Sequence, residues 1–288
     1  MGVRTASPVG NREKLLRQAD NLPPFSPILK RLLATLARED VRFGEVSELI
    51  EKDTVIAGNL LRLVNSALYA LAGTINSVRH GLSIIGVEKA RNMVLMMSLA
   101  RFWHHEPKVE GWSSAGFNLH STATAILSDL LVEHVPVEYP EGAFTAGLFH
   151  DLGKLLAASA LPAEFSAAWR RIDGGVEDFE ACERDCYGIP HSELSAAALE
   201  HWNLPEPIAR AARFHHAPEK SRDGLATLSV VVHAADRLAN RLDVGLAPSK
   251  PFDQGAPEEI LEALGLQDRG DRLLKEFKTE FEVTRSLF

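Results

Sequence analysis

Apolar residues recur along most of the chain at the spacing of one face of an α-helix. Two such stripes consist of Ile28, Leu29, Leu32, Leu33 and Leu36, and of Leu228, Val231, Val232, Ala235 and Leu238. Strand signals are scarce: the segment 135–139 is the one short candidate, and Pro140 ends it. The pattern therefore predicts an all-α protein.

Clusters of proline and glycine divide this helical pattern into segments. We predict an N-terminal extension over 1–20 and one domain over 21–245. Within that domain, an N-terminal helical subdomain covers 21–105, and a second helical subdomain over 113–245 holds most of the histidines. A proline-rich linker and a helical tail make up 246–288.

The tail has an amphipathic pattern of its own. Leu274, Phe277 and Phe281 lie on one stripe of a predicted helix, and such a stripe has to be covered. We expect it to dock on the body of the protein or on a second copy of the chain, and the second arrangement would be a homodimer through the tail.

Charge and hydropathy limit the classes of molecule that the protein is expected to bind. The formal net charge is −8, whereas general nucleic-acid binders and binders of anionic membranes need a basic surface. No apolar run reaches the length of a membrane span, and the N-terminus lacks the apolar stretch of a secretory signal. Cys182 and Cys186 are too few for a disulfide framework. We expect a cytoplasmic protein that binds neither membranes nor nucleic acid in general.

Common motifs for nucleophilic catalysis and nucleotide binding are absent. The sequence contains no G-x-S-x-G elbow, no G-x-G-x-x-G loop and no H-E-x-x-H pair. The stretch from Gly147 to Lys154 resembles a phosphate-binding loop, but five residues separate its glycines instead of four. Leu155 also follows the lysine where serine or threonine is required.

Histidines and aspartates are the remaining candidates for chemistry, and they concentrate in the second subdomain. The segment AGLFHDLGKLLA (146–157) reads as an apolar helix interrupted by His150, Asp151 and Lys154. Ionisable groups on a buried face need partners. A polar stripe lies beside the apolar stripe of the segment 228–241 and consists of Ser229, His233, Asp236 and Asn240. The other candidates are His120, His191, His215 and His216.

Imidazole and carboxylate groups together suit divalent iron, manganese or zinc. Two aspartates neutralise one divalent ion, and a second ion would make the site positive and favour an anionic ligand such as a phosphate. Ala143, Ala146 and Gly147 would let a neighbouring backbone or a ligand approach the His-Asp doublet. Spacing alone does not unite these segments, so a metal centre, a general base and buried His-Asp pairs that only hold helices together all stay open.

The order of the motifs adds a resemblance to a known family. "GLFHDLGK", with "HS" upstream and a separate histidine, "HH" and "AD" downstream, resembles the HD superfamily of metal-dependent phosphohydrolases. The segment 49–95 resembles the N-terminal half of HDOD domains, which are HD-related output domains of bacterial signalling proteins, and includes their Leu-Arg-x-x-Asn-Ser core at 61–66. The likeness extends over about residues 20–240 and implies an HD-superfamily helical domain preceded by an N-terminal helical subdomain.

The resemblance also implies a ligand set for one or two metal ions: His120, His150, Asp151, His191, His215, His216 and Asp236. Asp151 would be the residue that bridges two ions, and Lys154 would hold a phosphate oxygen if a phosphate binds. These two would be the catalytic residues if the protein is an enzyme. His233 has no counterpart among the ligands, and we expect it to orient a neighbour.

One departure from the family bears on function. Related cyclic-di-GMP phosphodiesterases continue from "HHE" into a Gly-Tyr-Pro motif, whereas this chain has Ala217 at the glutamate position and lacks the motif. Since HDOD domains have generally no demonstrated catalytic activity, the resemblance implies a signalling output module that binds protein partners or a small nucleotide or phosphate. A metal-dependent phosphohydrolase is the alternative, and a purely structural helical scaffold ranks last.

The N-terminal motif is interpreted as structural. Arg62, Asn65 and Tyr69 are predicted to share one helix face, and a buried asparagine has to find hydrogen-bond partners nearby. We therefore do not count these residues as part of a functional site.

Overall fold

The computed structural model describes residues 7–22, 31, 35, 42–69, 71, 73–102, 107–173, 178–221, 227–246 and 256–285. The described residues form α-helices and two short 3-10 turns and contain no strand, which confirms the prediction of an all-α protein. The candidate strand at 135–139 is a loop. The predicted stripe from Ile28 to Leu36 lies outside the described residues.

The helices are, in chain order, α1 (Pro8–Asp20), α2 (Phe43–Glu51), α3 (Thr54–Val64), α4 (Val78–Phe102), α5 (Ser114–Val132), α6 (Ala143–Phe149), α7 (Leu152–Ala160), α8 (Pro162–Asp173), α9 (Phe179–Tyr187), α10 (His191–His201), α11 (Glu206–Phe214), α12 (Leu228–Arg241), α13 (Pro257–Ala263) and α14 (Gly270–Arg285). The 3-10 turns are Pro140–Gly142 and Pro218–Lys220. Of the helices described, none is both long and apolar enough to cross a membrane.

The chain divides into two compact units. Unit 1 combines Met1–Leu22 with His105–Leu273, and unit 2 combines Pro23–His104 with Leu274–Phe288. The segment predicted as an N-terminal extension contains α1, which packs on α7, α9 and α10 in unit 1 and buries Leu15 completely. The domain boundaries drawn from the sequence stay a prediction.

The tail helix α14 buries both phenylalanines of its apolar stripe within the chain, whereas Leu274 is half-buried. Phe277 is 2% exposed and stacks on Phe281 with ring centroids 5.3 Å apart. In unit 2, Glu280 forms an ion pair of 3.2 Å with Lys89 of α4. Phe277 and Phe281 are thus covered without a second copy of the chain, and a homodimer through the tail stays a prediction.

Unit 1 is built around α5. This helix is buried on nearly all sides, from Phe117 to Leu131, which is the pattern of a helix in the middle of a helical domain. Its N-terminus is capped by Ser113, whose Oγ accepts a hydrogen bond from the backbone N–H of Gly116. Helices α6 and α12 pack on α5, while α10 packs on α7 and α11. The predicted ligands lie where these helices meet.

Unit 2 contains the Leu-Arg-x-x-Asn-Ser motif, and here one prediction was wrong. Helix α3 ends at Val64, so Arg62, Asn65 and Tyr69 do not share one helix face. Asn65 is the C-cap and is exposed rather than buried. Its amide donates to the carbonyls of Leu61 and Ile75 at 2.7 Å, and its Oδ1 accepts from the N–H of Ile75 at 2.7 Å. The helix ends there because this side chain ties the following loop back to it.

We expect Asn65→Ala to destabilise unit 2 by about 2 kcal/mol, because it removes three hydrogen bonds that close one loop. Asn65→Asp should cost at least as much, because its second carboxylate oxygen would face the carbonyl oxygens of Leu61 and Ile75 and its negative charge would lie at the C-terminus of a helix. Urea unfolding followed by circular dichroism measures both. Unchanged midpoints in both variants would show that the loop closes without Asn65.

Candidate metal centre

The His-Asp doublet lies at a break between two helices. Helix α6 ends at Phe149 and α7 begins at Leu152, so the apolar segment 146–157 is not one continuous helix. Asp151 is the N-cap of α7, with φ −99° and ψ 8°. The break turns both side chains into unit 1, where His150 and Asp151 are fully buried.

Two glycines let neighbouring helices approach the doublet. A Cβ on Gly147 would lie 2.8 Å from the Cα of Ala125 in α5, and a Cβ on Gly153 would lie 2.1 Å from the carbonyl oxygen of His191. Gly153 also donates its N–H to Ser195 Oγ of α10 at 2.8 Å. The small residues near the doublet therefore admit neighbouring backbones, which was one of the two expectations for them.

Two groups of side chains meet at Asp151. The first subsite consists of Asp151, His191, His215 and His216, and the second of His120, His150 and Asp151; within each group, the potential ligand atoms lie within 4.8 Å of one another. Asp236 adjoins the second subsite, with its Oδ1 at 3.1 Å from His120 Nε2 and 3.7 Å from His150 Nε2. The structure thus brings together all seven residues that the sequence singled out, from five separate segments.

Asp151 offers one oxygen to each side. Its Oδ1 is 3.2 Å from His191 Nε2 and 3.6 Å from His215 Nε2. Its Oδ2 is 3.4 Å from His150 Nε2 and 3.7 Å from His120 Nε2. This is the arrangement that a carboxylate needs in order to bridge two cations.

Three buried atoms at this centre make no hydrogen bond of good geometry: His150 Nε2, Asp151 Oδ1 and His215 Nε2. Buried polar groups are nearly always satisfied, so each such atom requires an explanation. Imidazole nitrogen and carboxylate oxygen are ligands that iron, manganese and zinc accept. The donor set fits a divalent metal ion, which would engage all three atoms.

The ring nitrogens that face away from the centre are held in place. Nδ1 of His120 contacts the carbonyl of Val244 at 2.7 Å, Nδ1 of His150 that of Gly147 at 2.8 Å, and Nδ1 of His215 that of Ala212 at 2.6 Å. A carbonyl can only accept, so each Nδ1 carries a proton. In the neutral ring, Nε2 is then free to bind a cation.

The charges at the centre support one another. Burial alone would raise the pKa of Asp151, but His150, Lys154 and the contacting imidazoles hold that pKa well below its usual range. Burial likewise opposes ionisation of Lys154, yet the carboxylate of Asp151 raises the pKa of this lysine. The Nζ of Lys154 lies 2.6 Å from Asp151 Oδ2 and 5.4 Å from the ring centre of Phe179. Asp151 is therefore an anion at neutral pH, as a metal ligand must be.

His191 differs from the other ring ligands. Burial lowers its pKa, but the carboxylate of Glu183 outweighs burial and raises the pKa of His191 to about 9. In the metal-free protein at neutral pH, this imidazole therefore holds both ring protons. A cation can bind Nε2 only after that nitrogen has lost its proton.

We expect the metal affinity of the first subsite to rise with pH between 7 and 9. Each pH unit should strengthen binding by about tenfold until His191 is neutral, because one proton must leave for each ion bound. Zinc titrations against a competing chelator at several pH values measure the slope. Calorimetry in two buffers with different ionisation heats counts the protons released. A slope of zero together with no proton release would contradict the prediction.

Sequence reasoning missed one group at the centre. Glu183 of α9 is fully buried and contacts both the backbone N–H and the Nδ1 of His191 at 2.7 Å. A signal was present: Phe179, Glu183 and Tyr187 are spaced four apart, so a glutamate occupies an apolar helical stripe. A carboxylate in that position needs a buried partner.

Two members of the predicted polar stripe support the ligands from outside. His233 Nδ1 contacts the backbone carbonyl oxygen of His215 at 2.6 Å, and its expected role in orienting a neighbour stays a prediction. Asn240 donates to Asp236 Oδ1 at 2.9 Å. Neither side chain belongs to the two ligand groups.

The sequence matches a known protein family. A sequence model of the HDOD domain matches residues 22–218, well over half of the chain. The chain belongs to the HDOD family. The all-helical fold is that of HDOD and HD-like domains, as the resemblance implied.

Solved structures of the same fold cover nearly the whole of this HDOD protein. An HDOD domain protein of unknown function from Geobacter sulfurreducens has a TM-score of 0.77 at 24% identity and covers 96% of this chain and 99% of its own. A candidate phosphohydrolase from Shewanella amazonensis SB2B has a TM-score of 0.75 at 24% identity, covering 96% and 98%. A candidate signal transduction protein from Marinobacter aquaeolei VT8 has a TM-score of 0.73 at 20% identity, covering 99% and 67%. At such identities the likeness shows the fold.

A relative of greater length is also known. An uncharacterised protein of Treponema pallidum (strain Nichols) is 25% identical over 284 residues, which are 93% of this chain and 50% of that protein. This chain therefore spans about half the length of that relative.

Proposed function

We propose that this HDOD protein is a bacterial signal-transduction output module that binds one or two divalent ions of iron, manganese or zinc. In this proposal it acts in the cytoplasm by binding protein partners or a small nucleotide or phosphate ligand. The ligand set is the one carried over from the family: His120, His150, Asp151, His191, His215, His216 and Asp236.

The orphaned atoms carry the metal-binding part of the proposal. His150 Nε2, Asp151 Oδ1 and His215 Nε2 are buried without a hydrogen bond and belong to two ligand groups that share Asp151. In a purely structural scaffold of paired histidines and aspartates, these three atoms would be expected to have hydrogen-bond partners. A bound cation accounts for them at once.

Elemental analysis of the purified protein and anomalous scattering from its crystals test metal binding. We expect stoichiometric iron, manganese or zinc, and a rise in melting temperature on loading because the ion binds only the folded state. An empty site after loading with each of the three metals, with a melting temperature insensitive to chelators, would favour the scaffold instead.

Action through partners is favoured over catalysis by the sequence around His216. Ala217 and the missing Gly-Tyr-Pro motif remove the feature most associated with cyclic-di-GMP hydrolysis in related enzymes. The similar protein from Marinobacter aquaeolei is named as a candidate signal transduction protein. Nothing in the sequence specifies a substrate.

A metal-dependent phosphohydrolase is the second candidate, and Lys154 favours it. Its ammonium group lies 2.6 Å from Asp151 Oδ2 with 12% of the side chain exposed, so it could also contact a phosphate oxygen at the edge of the site. His216 is exposed, which leaves the first subsite accessible. Bound metal would supply an activated water and charge stabilisation in such a reaction.

Turnover by the metal-loaded protein separates the two candidates. The substrates to test are common nucleotides, cyclic dinucleotides and p-nitrophenyl phosphate, and Asp151→Asn is the matched inactive control. We expect no difference in turnover between the two proteins. Turnover that is present in the wild type and lost in Asp151→Asn would replace the output-module proposal with the phosphohydrolase.

A further inference from the structure

Glu183 is a buried carboxylate with three hydrogen bonds, all on one side of the first subsite. Its Oε1 accepts from the hydroxyl of Tyr187 at 2.6 Å. Its Oε2 accepts from the backbone N–H of His191 and from His191 Nδ1, both at 2.7 Å. Glu183, Tyr187 and His191 are all fully buried. One oxygen thus fixes both the start of α10 and the ring of its first residue.

Among the described contacts, no other imidazole of the two subsites has a carboxylate at its Nδ1. His120, His150 and His215 each direct Nδ1 to a neutral backbone carbonyl. Only His191, among the described residues, directs Nδ1 to a carboxylate. The two subsites therefore differ in the groups that contact the outer nitrogens of their imidazoles. In the first subsite, the carboxylate of Glu183 places a full negative charge there.

We propose that Glu183 is a positioning residue that sets the metal affinity of the first subsite through His191 and leaves the second subsite unaffected. This inference rests on the proposed metal binding. Glu183 would not be a ligand itself, because its carboxylate is engaged by Tyr187 and by the outer side of His191.

The physical basis is the coupling between the two ring nitrogens. A carboxylate that accepts the Nδ1 proton increases the electron density at Nε2 and strengthens its bond to a cation. It also restricts rotation of the ring, so less freedom is lost when the ion binds. Tyr187, one turn along the same helix, prevents the carboxylate from turning away. A carbonyl provides the orientation without the negative charge.

The test compares Glu183→Gln with the wild type in titrations of the full chain with zinc and manganese at about pH 9.5, where His191 is largely neutral in both proteins and a proton at Nε2 does not compete with the ion. We expect one ion equivalent to bind about 10–100-fold more weakly, as is typical when an outer carboxylate is lost, and the other to keep its affinity. Glutamine preserves the shape but cannot accept from Tyr187 and His191 with two anionic oxygens. A uniform loss at both equivalents, or none, would overturn the inference.

Glu180→Gln is the matched control. Glu180 lies on the same helix and accepts a hydrogen bond from Ser192 at the start of α10; its charge interacts with His191, but no described hydrogen bond joins the two side chains. This variant should weaken the first equivalent much less than Glu183→Gln does. If both variants weaken it equally, the hydrogen bond from His191 to Glu183 does not set the affinity, and the inference is wrong.

The outcomes also separate this inference from the proposed function. If the wild type binds no metal, the proposed function falls and the inference falls with it. If the wild type binds metal and Glu183→Gln binds it equally well, only the inference falls. If the wild type binds one ion, anomalous scattering assigns it to a subsite. At the first subsite, a weaker affinity in Glu183→Gln supports the inference and an unchanged affinity overturns it; an ion found only at the second subsite overturns it as well, because the first subsite then binds no metal. Circular dichroism confirms that each variant is folded.

Discussion

Asp151→Asn is expected to remove metal from both subsites at once and to lower the affinity for each ion by more than about 100-fold. Even the loss of an outer-sphere partner costs about 10–100-fold, and Asp151 would be a direct ligand of both ions. Its two oxygens face opposite groups, with Oδ1 at 3.2 Å from His191 Nε2 and Oδ2 at 3.4 Å from His150 Nε2. Asparagine keeps the volume but offers one neutral oxygen instead of two anionic ones.

Calorimetric titration with zinc and elemental analysis after dialysis measure the loss. Asp236→Asn is the matched control because it removes a carboxylate from one side only: Asp236 Oδ1 lies near His120 and His150. That variant should lose one ion equivalent and keep the one bound by His191, His215 and His216. Loss of a single equivalent in Asp151→Asn would show that this residue does not bridge.

The helices were predictable from the sequence because each helix buries one face. That face appears as an apolar stripe within the helix's own residues. The stripe of α12 shows this: Leu228, Val231, Val232 and Leu238 are all buried in the structure. The helix break at the doublet was only partly predictable. The charged residues revealed that the segment 146–157 was unusual, but the turn of Asp151 out of the helix depends on α5 and α10 packing close to Gly147 and Gly153.

The ligand set was not predictable from spacing, because its members come from segments dozens of residues apart. Family resemblance supplied it, and the geometry brings the same residues together, from His120 on α5 to Asp236 on α12. Glu183 was not identified from the sequence, because its role depends on contact with His191 across the turn between α9 and α10. Asn65 was identified as satisfied locally, yet its exposed position followed from where α3 ends.

Gly153→Ala is expected to destabilise unit 1 by about 3 kcal/mol and to weaken metal binding together with it. An added Cβ would lie 2.1 Å from the carbonyl oxygen and 2.8 Å from the carbonyl carbon of His191, far inside van der Waals contact. The obstacle is backbone, so no side-chain rotation relieves it, and α7 and α10 have to separate. That movement displaces His191, a ligand of the first subsite, and strains the 2.8 Å bond from Gly153 N–H to Ser195 Oγ.

Gly116→Ala gives the control within the same unit. Gly116 lies in the first turn of α5, and a Cβ there would meet Ser113 alone, its Cβ at 3.5 Å and its Oγ at 3.7 Å, which is ordinary contact. Alanine is favoured over glycine in a helix by roughly 1 kcal/mol, so this variant should be as stable as the wild type or more stable. Urea unfolding measures both variants. If Gly153→Ala lowers the free energy of unfolding and Gly116→Ala does not, the destabilisation at Gly153 is caused by the close approach of α10. Equal stability of Gly153→Ala and the wild type, with unchanged zinc affinity, would mean that the two helices can separate without cost and that the position of His191 does not depend on their contact.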